Sequence, residues 1–343
     1  MTKLANPNNN ELDRDNSLRS IRFRVLSPQN LVGLLIVAIF LIFASTRLDM
    51  DWPDTWNRIK TSNTKLYILG VITYYSGFYL RGLRWHVMLK SAGKPDATPG
   101  SIPKASALGQ YVLLGWFINS ITWFRLGDLY RSYIVSQRSY LSFSLTMGTV
   151  LSERIVDIVT VFLLLLVASI ILYESHRFEG LGLFLCIAFG LTILATLAIL
   201  IMKQLGVRFA QILPRRLQAA YWIFVNSAIG SLKQLPLLLI LSLLIWFTEI
   251  GRLTFVIQSL NIDTNLSLSV VIFVTLAASI LTAIPLTPGG LGVVEPGILG
   301  LLIISLPRSE ALSIVLLDRS ISYLSILFVG GLLFLLYQTK RAK

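Results

Sequence analysis

Residues Ile284 to Glu295 read IPLTPGGLGVVE: two prolines and three glycines set into a long apolar run, closed by a carboxylate where lipid would be expected. An ordinary transmembrane helix has no such interior. Proline removes a backbone donor and clashes with the preceding turn, and glycine readily leaves helical geometry. Backbone polar groups at membrane depth find no water, so non-helical chain persists there only inside protein or beside a wet cavity. Interrupted segments of this kind recur in transporters, where half-helix ends face the substrate near the bilayer midplane. The stretch therefore predicts a broken hairpin within a membrane protein.

Composition agrees. Of 343 residues, 55% are apolar and 14% charged, and mean hydropathy is +0.72. No polar stretch approaches the roughly 50 residues of a separate soluble domain, which argues against catalysis by an appended one. The net charge of +13 could suggest nucleic acid, but Lys and Arg fall in short clusters between apolar runs. Topology and anionic headgroups explain that placement, and no nucleic-acid partner is expected. The single cysteine, Cys186, lies in an apolar run and reads as a small core hydrophobe. His86 and His176 fall near opposite membrane faces, so neither a metal site nor a cofactor is expected.

Residues 1–29 read as a disordered, basic cytoplasmic arm carrying Arg14, Arg19, Arg22 and Arg24. One transmembrane domain follows over 30–338, and 339–343 form a basic tail. Spanning helices are predicted near 30–46, 65–83, 143–173, 181–202, 235–257 and 311–337, several short against the ~20 residues a crossing needs. The basic clusters Arg81 to Lys104, Lys203 to Arg216 and Lys340 to Lys343 face the cytoplasm by the positive-inside rule. Both termini of this multi-pass cell-membrane protein are then cytoplasmic. Ile102 to Tyr140 and Val270 to Ser305 keep the parity only by entering and leaving on one side. Both read as re-entrant hairpins, although two full spans in each, giving eight or more in all, would keep parity too.

An offset of 165 relates Glu153-Arg154 to Asp318-Arg319 (319 less 154) and Gly127 to Gly292 (292 less 127). Each half, about 64–173 and 234–338, reads helix, broken hairpin, charged helix, and the halves begin on opposite sides of the membrane. The expected fold is an all-α polytopic membrane protein with about six spans, two broken re-entrant hairpins and an inverted repeat.

Charge inside an apolar run is costly, so such residues face one another or a watery cavity. Glu153 and Asp157 share a helix face, with Arg154 within reach of Asp157. They form either a structural ion pair or a cavity lining that leaves arginine for phosphate, whose oxygens suit the guanidinium fork. Asp318 and Arg319 point about 100° apart on a helix, so each needs a partner elsewhere. Arg125 and Arg131, with Asp128 between them, follow the first break and either line the site or snorkel to headgroup level. Arg81 and Arg84 read as interface anchors, and Glu249 with Arg252 as a structural pair. Glu295 either caps a half-helix or joins the site, while Gly289, Gly290 and Gly292 either pack the hairpin or offer amides to an anion. Substrate binding is thus expected at Arg125, Asp128, Arg131, Glu153, Arg154, Asp157, Gly289, Gly290, Gly292, Glu295, Asp318 and Arg319. The sequence has no P-loop, and Glu153, Asp157 and Asp318 are candidates for proton coupling.

Several of these motifs carry a resemblance. RGLRW at 81–85, Asn119 followed by Arg125-Leu-Gly-Asp128 and Arg131, ERIVD at 153–157, and PGGLGVVE at 288–295 followed by Asp318-Arg319 resemble the transmembrane domain family of lysylphosphatidylglycerol synthases. That family includes stand-alone flippase-like proteins, and the similarity runs from about Thr64 to Tyr337. It implies a lipid translocator or an accessory of polar-lipid synthesis. The partners expected are anionic membrane lipids, with a lipid-synthesis enzyme and a second copy of the chain as further candidates. A position after the family asparagine often held by proline is Trp123 here, so the first hairpin is expected to break differently from the second. The aminoacyl-transfer domain of full-length synthases is missing, and lysyl transfer does not carry over. A weaker alternative is a lipid-linked glycosyltransferase, suggested by Asp49, Asp51 and Asp54 in an outside loop, although clustered Asp in a short loop is usually a solvated surface.

Overall fold

The computed structural model describes residues 51–92, 102–139, 141–173, 214–262, 266–283 and 287–341, with scattered positions between 182 and 201. The expected arm and the span at 30–46 lie outside the described residues, as do most of 181–202, Asp49 and His176. All regular structure among the described residues is helical. In chain order it comprises α1 (Trp52–Lys60), α2 (Thr64–Ser91), α3 (Ala105–Ile121), α4 (Leu126–Arg138), α5 (Phe143–Tyr173), α6 (Arg215–Ser231), α7 (Leu235–Ser259), α8 (Leu268–Ala283), α9 (Val294–Leu302), α10 (Arg308–Arg319) and α11 (Ser325–Arg341).

Helix starts follow local chemistry. Asp51 accepts from the Asp54 amide ahead of α1, and Asn63 accepts from the Lys65 and Leu66 amides ahead of α2. Asp54 in turn accepts from Arg58 Nε at 2.8 Å, a contact that holds its carboxyl below the usual range. Asp51 and Asp54 thereby serve helix capping and surface pairing. With 28 and 31 residues, α2 and α5 extend about 42 and 46 Å at ~1.5 Å per residue. Both exceed the ~30 Å hydrocarbon core. Among the described residues, Leu217–Ser259 and Arg308–Thr339 pass as spans on length and apolarity alone.

The two hairpins break where expected but by different means. Between α8 and α9 the chain turns through Pro288–Gly290, with Gly289, Gly290 and Gly292 at φ 60°, 76° and 77°. Between α3 and α4 no glycine serves. Phe124 and Arg125 adopt φ 60° and 55° instead, a left-handed geometry that costs a side-chain-bearing residue roughly 1–2 kcal/mol. Gly127 closes this hairpin: its amide donates to Asn119 Oδ1 at 2.7 Å, and a Cβ there would lie 1.8 Å from the Gly115 carbonyl.

Helix α6 is an element the sequence reading left inside a cytoplasmic connection. It packs along α5 and leads through a 3-10 turn, Leu232–Gln234, into α7. The approach is close because Gly148 on α5 carries no Cβ, which would otherwise sit 2.4 Å from the Phe224 carbonyl. A further departure follows Arg319, where one π turn, Ser320–Leu324, separates α10 from α11.

The helix contacts are reciprocal between the halves. Helix α2 packs on α7, α3 on α11 and α8 on α5, α1 on α10 and α6 on α5. Exchanging α1 to α5 for α6 to α11, with α5 answering to α10 and α11 together, turns each of these contacts into itself or into another of the set. A two-fold repeat generates that pattern, with each half's peripheral helix laid on the other half's charged helix.

Candidate functional site

Glu153 stands ten residues into α5, and Asp318 ten residues into α10. Each is about 15 Å along its axis, half the depth of a ~30 Å core. Around each lies a set of buried and half-buried ions arranged in the same way.

In the first half Arg154 grips Asp128 with two nitrogens, Nη2 to Oδ1 at 2.7 Å and Nε to Oδ2 at 3.1 Å. Arg131, 1% exposed, reaches Glu153 at 3.0 Å and Asp128 at 3.2 Å, and lies over the Trp85 ring. Arg84, also 1% exposed, binds Asp157 at 2.5 Å, Glu153 at 3.3 Å and the Ser242 hydroxyl at 2.7 Å. Arg125 is more loosely held, its Nε 3.9 Å from Asp128.

In the second half Arg319 donates to Glu295 at 2.8 Å and to the Gly289 carbonyl at 3.1 Å. Asp318 is paired with Arg252. Arg252 also lies 3.4 Å from Glu249, which accepts from Arg81 Nη2 at 2.6 Å. In both halves, then, an acid at the start of the hairpin's second arm holds the arginine of the charged helix. The neighbouring acid on the charged helix holds an arginine from the long helix. Such pairing compensates charges that burial alone would penalise heavily. The halves differ in balance: four arginines (84, 125, 131, 154) meet three carboxylates in the first, whereas Arg81, Arg252 and Arg319 match Glu249, Glu295 and Asp318 in the second.

Several expectations are corrected. Arg81 and Arg84 are buried members of the network, not interface anchors, because α2 continues to Ser91 and keeps them inside it. Arg131 is likewise buried and does not snorkel. Glu249 and Arg252 do meet at i, i+3, but each has its nearest partner on another helix. The Gly292 amide donates to Glu295 at 2.7 Å and the Gly290 amide to the Thr287 carbonyl at 3.2 Å, so neither is open to an anion. Glu295 holds the turn with one oxygen and Arg319 with the other. Among the described residues no ion pair joins Glu153, Arg154 and Asp157 to Asp318 and Arg319. The single constellation expected is two sets, linked through α2, where Arg81 and Arg84 are one turn apart. Cys186 is exposed, so the core reading fails for it.

A family model described as the lysylphosphatidylglycerol synthase TM region matches residues 30–330. A UPF0104 membrane protein of Methanocaldococcus jannaschii is 36% identical over 221 residues, 64% of this chain and 93% of that protein. UPF0104 membrane proteins of Methanothermobacter thermautotrophicus and Pyrococcus horikoshii are 33% and 22% identical, the first over 30% of each chain, the second over 89% of this chain and 95% of its own. Together with the all-helical fold and its buried charges, the match over nearly the whole described molecule places the chain in the lysylphosphatidylglycerol synthase transmembrane-region family.

Proposed function

We propose that this protein moves a polar, anionic lipid between the leaflets of the cell membrane, with both its termini in the cytoplasm. One observation carries the reading: two broken hairpins each deliver a carboxylate to the arginine of their half's charged helix, and the first cluster holds one arginine more than it has carboxylates. An anionic headgroup entering such a site exchanges partners with the carboxylates already there. Asp128 releases donors of Arg154, and the phosphate accepts them. Exchange of this kind avoids carrying a bare charge through hydrocarbon, which costs several kcal/mol. Arginine suits the task because its fork fits either anion and stays protonated.

A second reading has its own support. Arg154 and Arg319 are both bound by carboxylates in the resting structure, which is what a purely structural network in an accessory of a lipid-synthesis enzyme would require. Reconstitution separates the readings. Purified protein in phosphatidylcholine vesicles containing fluorescent phosphatidylglycerol should expose the inner-leaflet probe to an external quencher faster than protein-free vesicles do. Arg154→Ala and Arg319→Ala should each slow this about tenfold per folded molecule, the scale of one charge-assisted contact. Lys60→Ala, at an exposed site on α1, should change nothing. Equal rates for wild type and both arginine variants would set translocation aside and leave the accessory reading.

A further inference from the structure

Three polar atoms are buried at the hairpin breaks with no hydrogen-bond partner among the described residues. They are Trp123 Nε1 and Arg125 Nε on the first break and Thr287 Oγ1 on the second. The two breaks touch. Tyr323, on the π turn, donates its hydroxyl to the Ser120 carbonyl at 3.1 Å. Gly289 lies against the same ring, and a Cβ on it would come within 2.6 Å of Tyr323 and 3.3 Å of Ser120 Cα. Trp123 and Arg125 follow Ser120 by three and five residues, and Thr287 precedes Gly289 by two, so each break carries an unpaired atom within a few residues of this contact.

Buried polar atoms in native proteins are nearly all paired, and an unpaired one calls for a cause. Here the chemistry of the three is uniform: indole and guanidinium N–H groups only donate, and the threonine hydroxyl can donate. Asp128, the acid nearest Arg125, lies 3.9 Å from it and is already held by Arg154 and Arg131. The surrounding cluster carries one positive charge beyond its carboxylates. Two consecutive side-chain-bearing residues here, Phe124 and Arg125, hold left-handed backbone, and strain of this kind gathers at functional sites. Phe124 itself is 76% exposed, an apolar surface beside them.

We propose that the junction of the two hairpin breaks binds the phosphodiester group of a monoanionic lipid, with Arg125 and Trp123 donating to phosphate oxygens from the first break and Thr287 from the second. The choice of lipid over free phosphate rests on the translocation reading above; the donor set itself does not. One negative charge neutralises the surplus arginine, whereas a phosphomonoester, at about −1.5 to −2, would leave uncompensated charge in a low-dielectric site.

The test is a titration of the full chain in detergent with dihexanoylphosphatidylglycerol, followed calorimetrically. Arg125→Gln should weaken binding about tenfold or more, and Trp123→Phe and Thr287→Val each about threefold, as expected for one charged and two neutral donors. Arg125→Lys should lose less than Arg125→Gln, and Lys60→Ala nothing. Dihexanoylphosphatidylcholine and inorganic phosphate should bind at least tenfold more weakly than the anionic lipid. Trp123→Phe and Thr287→Val nearly keep shape, so they remain informative if Arg125→Gln does not fold. Unchanged affinity in both would overturn the site, and equal binding of inorganic phosphate would overturn the lipid assignment. Binding with the stated dependence but no lipid movement in vesicles would keep the site and remove the translocation reading. Lipid movement unaffected by all three variants would do the reverse.

Discussion

Arg252 and Asp318 show how a charged residue is tolerated deep in this molecule. Both are buried, at 7% and 3% exposure, and each is the other's nearest counter-ion. Removing one partner leaves the other charged and unsolvated, so Arg252→Ala should lower stability by about 3–5 kcal/mol. The double variant Arg252→Leu with Asp318→Leu should recover most of that loss, because a well-packed apolar pair often replaces a buried ion pair at little cost. Unfolding in detergent measures both, and a single variant as stable as Lys60→Ala would count against the burial argument. Asp318 and Arg319 were legible in the sequence because charge in an apolar run is rare. Arg81 and Arg84 were not: they follow the apolar part of their run and look like a loop cluster. Only the continuation of α2 to Ser91, with Glu249, Asp157 and Ser242 brought from distant helices, puts them inside.

Each hairpin depends on backbone that approaches closer than a side chain would allow. Gly127 meets Gly115 across the first hairpin, where an added Cβ would lie 1.8 Å from a carbonyl oxygen that cannot rotate away. Gly127→Ala should therefore splay α3 from α4, separate Asp128 from Arg154, and sharply reduce the monodisperse yield. Gly300→Ala is the comparison. On the exposed side of α9 a Cβ meets nothing within 4 Å, and alanine in a helix should be stabilising by about 0.5–1 kcal/mol. Thermal unfolding of the two variants should move in opposite directions, and like responses would show that the close approach is not what holds the hairpin. The second break could be read from its glycines and prolines, since those residues are chosen for the geometry they permit. The first could be placed but not shaped, because Phe124 and Arg125 take left-handed geometry for tertiary reasons that no local pattern records. Helix α6 escaped for a related reason: basic residues open it, and its stability comes from packing along α5.

For the whole molecule, reciprocal contacts between the halves fix a two-fold relation but leave its placement in the bilayer to charge. With both termini cytoplasmic, as proposed above, the positive-inside rule predicts the ends of the first hairpin in the cytoplasm and those of the second outside. In a variant whose exposed Cys186 is replaced by Ala, single cysteines and a membrane-impermeant thiol reagent test this directly. Thr61→Cys, Ser267→Cys and Ser309→Cys should label on intact cells, whereas Lys104→Cys and Gln137→Cys should label only after the membrane is opened. Labelling of positions 104 and 267 from one side would overturn the inversion while leaving the fold untouched. The tip settles the remaining choice between re-entrant arms and full crossings. Helix α3 has 17 residues, about 25 Å at ~1.5 Å per residue, short of the ~30 Å core. Its end should stop within the membrane. Phe124→Cys at that tip should then resist the reagent from outside; labelling as fast as Thr61→Cys would make α3 and α4 independent spans and move the arginine cluster toward the outer surface.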